Sequence, residues 1–175
     1  QPGVHIGNLQ VSGSGTWVTA ATRGDLLIDG AYSFGGTQDV IENAIVDPGD
    51  GDPGVYLDHV TDFTLTGSEV KGVTDNDGVD VYGGATGSLN TRILNNEIHD
   101  VNISPASCQH TDGVQVAGTS GPGNTGTQIR NNHIYDIDQN ADIQLDSATS
   151  QRGTNEVVEG NNLGTVNYVT TSCVP

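Results

Sequence analysis

Basic residues are nearly missing from this chain. One lysine, Lys71, and four arginines, Arg23, Arg92, Arg130 and Arg152, stand against 22 acidic residues in 175, for a formal net charge of −17. Such a field repels phosphate backbones and anionic headgroups, which excludes nucleic acid and membrane surfaces as partners. It also disfavours a polyanionic glycan, so neutral polysaccharide and divalent cations are the ligands that suit the charge. Long apolar runs are missing too, and no stretch approaches the length that crosses a bilayer. No segment carries a sustained 3.6-residue apolar stripe, so helices are not expected. Cysteine is limited to Cys108 and Cys173; the pair is expected to form one disulfide pinning the carboxyl-terminal end, with two free thiols as the alternative. No signal peptide is present, and Gln1 is expected to follow a removed leader or to begin a piece of a larger secreted protein. The expected location is extracellular.

Apolar residues make up only 33% of the chain, and glycine is abundant at 25 residues. What is present instead of apolar bulk is a period. A short phrase returns every 24 to 35 residues: Leu26-Leu27-Ile28, Val55-Tyr56-Leu57, Val79-Asp80-Val81, Val114-Gln115-Val116, Ile143-Gln144-Leu145 and, more faintly, Val169-Thr170-Thr171. Gly54, Gly78 and Gly113 immediately precede three of the copies. A second phrase alternates with the first, in Val40–Ile45, Leu65–Val70, Ile93–Ile98, Ile129–Ile134 and Val158–Leu163, with aliphatic outer columns and a polar middle column of Asn43, Ser68, Asn96, Asn132 and Asn161. Both phrases have strand character, so the chain winds as stacked turns of one unit, laying equivalent strands in parallel. Residues 1–175 are expected to form one all-β domain, a solenoid of about six turns. The segment from Val11 to Gly24, which contains Trp17, reads as an insertion.

The aliphatic columns and the asparagine ladder, in agreeing register from about Val4 to Thr171, resemble the single-stranded right-handed parallel β-helix of the pectin-lyase-like superfamily. That superfamily holds lyases, hydrolases, epimerases, adhesins and tailspikes, so the resemblance implies a fold and leaves function to the site.

Period 2 sends Val79 and Val81 inward and their neighbours outward. The outward residues should stack into two columns, Leu27, Tyr56, Asp80, Gln115, Gln144 and Thr170, and beside them Asp29, Asp58, Tyr82, Ala117 and Asp146. Carboxylates, amides and phenols recognise sugars through paired hydrogen bonds and ring stacking. Tyr56, Asp58, Asp80, Tyr82, Gln115, Gln144 and Asp146 are therefore the candidate polysaccharide-binding residues, with an ordinary solvated strand face as the alternative.

A second constellation lies just upstream, in Asp75-Asn76-Asp77-Gly78 and His110-Thr111-Asp112-Gly113. On consecutive turns Asp77 and Asp112 become neighbours, with Asp75 and His110 in matching positions and Asp80 close by. Crowded carboxylates raise one another's pKa, as a general acid requires, or hold a cation between them. The candidate catalytic set is Asp77, Asp80, His110 and Asp112; the candidate metal set is Asp75, Asp77 and Asp112, with calcium the expected ion. The plainer alternative is that Asp77 and Asp112 satisfy backbone donors at a turn. Asn76-Asp77-Gly78 is similar to the Asn-Thr-Asp-Gly segment of polygalacturonase-type hydrolases, and the resemblance implies a catalytic role for Asp77 with Asp112 its echo. That family's Asp-Asp pair, Gly-His-Gly and Arg-Ile-Lys are not in the sequence. A lyase would need a placed basic residue, and Lys71 and Arg92 lie in no motif. Three classes follow: a polysaccharide-binding module of a larger protein, which the sequence favours, a polysaccharide-cleaving enzyme, and a structural or adhesive solenoid.

Overall fold

A computed structural model describes residues 4–7, 9–11, 15–23, 25–49, 51–84, 86–105, 107, 109–117, 123–138, 140–145 and 153–167. Within them every sheet is parallel and no helix occurs. Sheet I stacks Val4–Ile6, Leu26–Ile28, Ala44–Val46, Glu69–Val70, Glu97–Ile98, His133–Ile134 and Asn162–Leu163. Sheet II stacks Leu9–Val11, Ala31–Phe34, Val55–Asp58, Val79–Tyr82, Asp112–Ala117 and Ala141–Leu145. Sheet III stacks Trp17–Thr19, Val40–Glu42, Thr64–Thr66, Arg92–Leu94, Gln128–Arg130 and Val157–Glu159. The chain visits the three in rotation, and from Val73–Thr74 onward each turn adds a strand to a narrow sheet IV, with Val101–Asn102, Ile137–Asp138 and Val166–Asn167. This is an all-β parallel solenoid of about six turns.

Inward columns make the core. Ile28, Val46, Val70, Ile98 and Ile134 stack from sheet I; Val55, Val79 and Val114 from sheet II; and Ile41, Leu65, Ile93 and Ile129 from sheet III, all fully buried or nearly so. Each member touches its counterpart one strand spacing away, about 4.8 Å, so the core is a continuous rod of aliphatic side chains. The glycines before the sheet II strands serve close approach: a methyl group added at Gly78 would lie 2.6 Å from Gly113 O and 2.9 Å from Ile98 Cγ2.

The polar ladder is real, with one change of membership. Ser68 N–H donates to Asn96 Oδ1, Asn96 N–H to Asn132 Oδ1 and Asn132 N–H to Asn161 Oδ1, each at 2.9 Å. The side-chain amides of Asn96, Asn132 and Asn161 donate in turn to the carbonyls of Leu65, Ile93 and Ile129. Each buried amide is thereby satisfied on both sides, which is the condition for a polar column inside a core. Asn43 is not in the ladder: Ala44 is, its N–H donating to Ser68 Oγ. Asn43 instead takes the left-handed corner one residue earlier, φ 57°, in line with Gly67, Asn95, Asn131 and Gly160. Asparagine and glycine are the residues that tolerate that conformation.

Three further expectations are corrected. Leu26–Ile28 pairs with Ala44–Val46 in sheet I and does not stack on Val55–Leu57; the strand beneath Val55–Asp58 in sheet II is Ala31–Phe34. Leu27 and Asp29 therefore lie off the candidate face, and Tyr32 and Phe34 take their places. Trp17 belongs to a strand of sheet III, paired with Val40, and not to an insertion. The Val169–Thr171 copy, Asp146, Cys108 and Cys173 lie outside the described residues.

Candidate functional site

On the outward face of sheet II the expected register holds from the third turn onward. Tyr56 aligns with Asp80, Asp80 with Gln115 and Gln115 with Gln144; beside them Asp58 aligns with Tyr82 and Tyr82 with Ala117. Burial alternates along Val55–Asp58 and Val79–Tyr82, placing Tyr56, Asp58, Asp80 and Tyr82 outward. Below them Tyr32 and Phe34 extend the face by a turn. The rings form an unbroken file: Tyr32 to Phe34 at 6.5 Å and nearly parallel, Phe34 to Tyr56 at 5.7 Å, and Tyr56 to Tyr82 at 6.1 Å between centroids. Phe34 is 45% exposed, although an unconstrained phenylalanine is better buried. Burial, then the Asp58 and Asp80 charges, pushes the Tyr56 phenol up to about 12, so it remains a hydrogen-bond donor.

Asp77 and Asp112 meet at the amino-terminal corner of this face. Asp77 Oδ1 accepts the Asp112 N–H at 2.7 Å, a rung of the same kind as the asparagine ladder. The backbone-capping role foreseen for Asp77 is therefore part of its job. One oxygen from each carboxylate and a ring nitrogen of His110 lie within 4.8 Å of one another. Asp77 is 5% exposed and Asp112 completely buried, whereas His110 projects toward solvent. Over them opens a groove of about 430 Å³, lined by Gly51, Asn76, Asp77, Ser107, His110 and Gln115.

The two acids differ in what surrounds them. Around Asp112 is a ring of donors: Asn140 Nδ2 reaches both oxygens at 2.9 and 3.1 Å, Gln115 Nε2 reaches Oδ2 at 3.3 Å, and His110 Nδ1 lies 3.2 Å from Oδ2. Gln144 Oε1 accepts from Asn140 Nδ2, and with the amide turned over its nitrogen donates to Asp112 Oδ2 at 2.6 Å instead. Burial raises the Asp112 pKa, and the Asn140 and His110 contacts oppose that rise. For Asp77 the main effects are burial and then the Asp112 charge, and together they raise it to about 7. Asp80 is likewise raised to about 7, by burial first and then by Asp77, Asp58 and Asp112. Its Oδ1 is buried with no hydrogen-bond partner among the described residues. The site thus gathers three carboxyls whose protonated forms are favoured by burial, with side-chain donors concentrated on Asp112.

Asp75 is placed differently from the expectation. It does not oppose His110, because the connection from Asn102 to Thr111 is a long excursion whose start, not its end, packs on Asp75. Ser104 N–H and Ser104 Oγ each donate to Asp75 at 2.7 Å, and these bonds hold its carboxyl below its ordinary range. Asp75 is therefore a loop anchor at the groove wall, and the close group is Asp77, His110 and Asp112. Asn140 was not foreseen by sequence reasoning; its only signal was its place five residues before Leu145, at the mouth of a recognised strand. No protein-family model and no curated protein matches the chain. What the fold and site define is a class: a parallel β-solenoid whose outward strand face carries an aromatic file ending at a carboxylate–amide groove.

Proposed function

We propose that the protein binds a neutral polysaccharide chain along the outward face of sheet II. The observation that carries this reading is the file Tyr32, Phe34, Tyr56 and Tyr82 running into the Asp80, Gln115 and Gln144 column. Ring faces stack on the C–H faces of sugars, and paired amides and carboxyls take up their hydroxyls. From Tyr32 to Gln144 is four strand spacings, about 19 Å, the reach of a short run of sugars. No lysine or arginine lies among these residues, so a uronate chain would find no countercharge there. The solenoid and its asparagine ladder support placing the chain in the pectin-lyase-like superfamily, and an extracellular setting beside other domains of a larger protein belongs to the same reading.

Electrophoresis through native gels containing β-glucan, xylan or galactomannan tests it, with polygalacturonate as the anionic control. At least one neutral polymer should retard the protein, and Tyr56→Ala should lose most of the retardation. Free migration through every neutral gel would refute the proposal.

Cleavage is the second reading, favoured by one observation: Asp77 lines the groove directly beside Asp112, whose oxygens are held by Asn140 and Gln115. Two neighbouring carboxyl groups are the pair that glycoside hydrolysis uses. Asp77 would give its proton to the glycosidic oxygen as the C–O bond breaks, while Asp112, held by Asn140 and Gln115, would take the proton of the water that attacks the anomeric carbon. Reducing ends released by the native protein and lost in Asp77→Asn would establish cleavage. Two carboxylates and one imidazole fall short of the about six to eight oxygens that calcium takes, so cleavage by this pair would not depend on that ion.

A further inference from the structure

Sheet III carries a groove that the reading above leaves unused. Trp17, the only tryptophan, is 71% exposed. Its exposure is not explained by the open end of the solenoid. In the strand Trp17–Thr19 it is Val18 that aligns with the buried Ile41 and continues the core column, whereas Trp17 aligns with Val40, then Thr64, then Arg92 on the outward side. Trp17, Gln38, Val40, Asp62, Thr64 and Arg92 line an open groove of about 480 Å³. Gln38 and Asp62 occupy left-handed corners, φ 58° and 56°, so their backbones are held in place beside the strands. Asn90 Nδ2 donates to Asp62 Oδ1 at 3.0 Å and orients that carboxylate. Among the described residues Arg92 makes no ion pair, in a protein whose acids far outnumber its bases.

We infer that this groove is a second carbohydrate-binding site, taking a short neutral glycan segment laid on the Trp17 indole. A broad apolar ring face beside a carboxylate, an amide, a hydroxyl and a guanidinium is the combination that meets a pyranose: C–H bonds over the ring, hydroxyl pairs bridged at the edges. The charges of Arg92 and Asp62 cancel, so the groove is locally neutral and selects for neither acidic nor basic sugars. Three strand spacings separate Trp17 from Arg92, about 14 Å, enough for a few sugar units. The site is independent of sheet II, which lies on another side of the solenoid. A chain engaged at both faces gains from effective concentration, so each face strengthens retention by the same polymer.

Because Trp17 is the only tryptophan, its emission reports this groove alone. Titration with soluble β-glucan, xylan and galactomannan should shift and saturate the emission with at least one polymer. The same shift should persist in Tyr56→Ala, which disables only sheet II. In affinity electrophoresis Trp17→Ala should weaken retention about tenfold, a loss of the size expected for an aromatic stacking contact. Arg92→Ala, which leaves the indole and the core in place, should weaken it several-fold and shift the emission titration to higher polymer concentration. Unchanged emission with all three polymers overturns the inference. So does full retention of Trp17→Ala, an outcome that leaves the sheet II proposal standing. If Tyr56→Ala abolishes retention and the emission shift together, sheet II is the sole site and the second one is refuted.

Discussion

Replacing Asp80 with asparagine isolates the electrostatic cost of the site. Asp80 is raised to about 7 in the fold, against 3.8 for the free side chain, because it is half-buried beside Asp77, Asp58 and Asp112. The folded-state value is the higher one, so folding favours the protonated form. That stabilisation is complete below about pH 3.8 and is lost as pH rises through about 7. A displacement of this size corresponds to about 4 kcal/mol on full ionisation. Integrated between pH 5 and pH 8, the loss is about 2.5 kcal/mol from this residue alone. Asparagine has nearly the same shape and does not titrate, so Asp80→Asn should lose about 2.5 kcal/mol less stability than the native protein over that interval. Urea unfolding at several pH values measures the difference, urea being uncharged and leaving the Coulomb terms intact. Asp77, also raised to about 7, keeps a residual dependence in the variant. Parallel stability profiles for the two proteins, within about 0.5 kcal/mol, would refute the burial and repulsion assigned to Asp80.

Asn132→Ala should destabilise the solenoid by about 3 kcal/mol in urea unfolding, since it strands the buried Asn96 N–H and Ile93 carbonyl together. Gly78→Ala forces a methyl against Gly113 O and Ile98 and should cost about 2 kcal/mol or more, read as a lowered melting temperature by circular dichroism. Calcium should leave glycan retention and melting temperature unchanged, because the Asp77, His110 and Asp112 group supplies too few oxygens; a chelator-sensitive retention would reverse that assignment.

The strand order, the parallel stacking and the ladder from Ser68 to Asn161 were legible because inward residues repeat in kind as well as in spacing. Legibility failed where a residue of the wrong kind fills a slot. Ser33 occupies the inward position that Leu57, Val81 and Val116 hold in later turns, which hid Ala31–Phe34 and let the aliphatic Leu26–Ile28 take its place. Any inward-outward-inward aliphatic triplet fits any sheet of a solenoid, and only pairing partners decide which one. The cost of that slip was Tyr32 and Phe34, half of the aromatic file. Asn43 misled by chemistry: asparagine suits both the ladder and the left-handed corner, and the sign of φ, not the letter, separates the two. Gly67 in the following turn was the available signal, since a glycine at that place marks the corner and shifts the rung to Ser68. Around the site, Asp77 over Asp112 followed from register. Asp75 beside Ser104 could not, because an excursion fixes only its ends.

The polar groups of the two kinds of column are treated in opposite ways, and that contrast supports the site proposed on sheet II. Along sheet I each ladder amide from Asn96 to Asn161 donates to a carbonyl of an earlier turn and accepts from a backbone N–H, so burial costs the fold little. Along sheet II the acids are gathered where they repel, and among the described residues Asp80 Oδ1 is buried without a donor and Asp77 has a single backbone N–H while four side chains serve Asp112. A chain able to build satisfied ladders had asparagine available for positions 77, 80 and 112 as well. An asparagine at 77 could still accept the Asp112 N–H through its amide oxygen, and none of the three would titrate. Stability alone would therefore not select aspartate at these positions. What aspartate adds is a carboxyl that can hold or release a proton near neutrality and accept bonds from a ligand's hydroxyls, which supports the proposal that the groove takes a ligand.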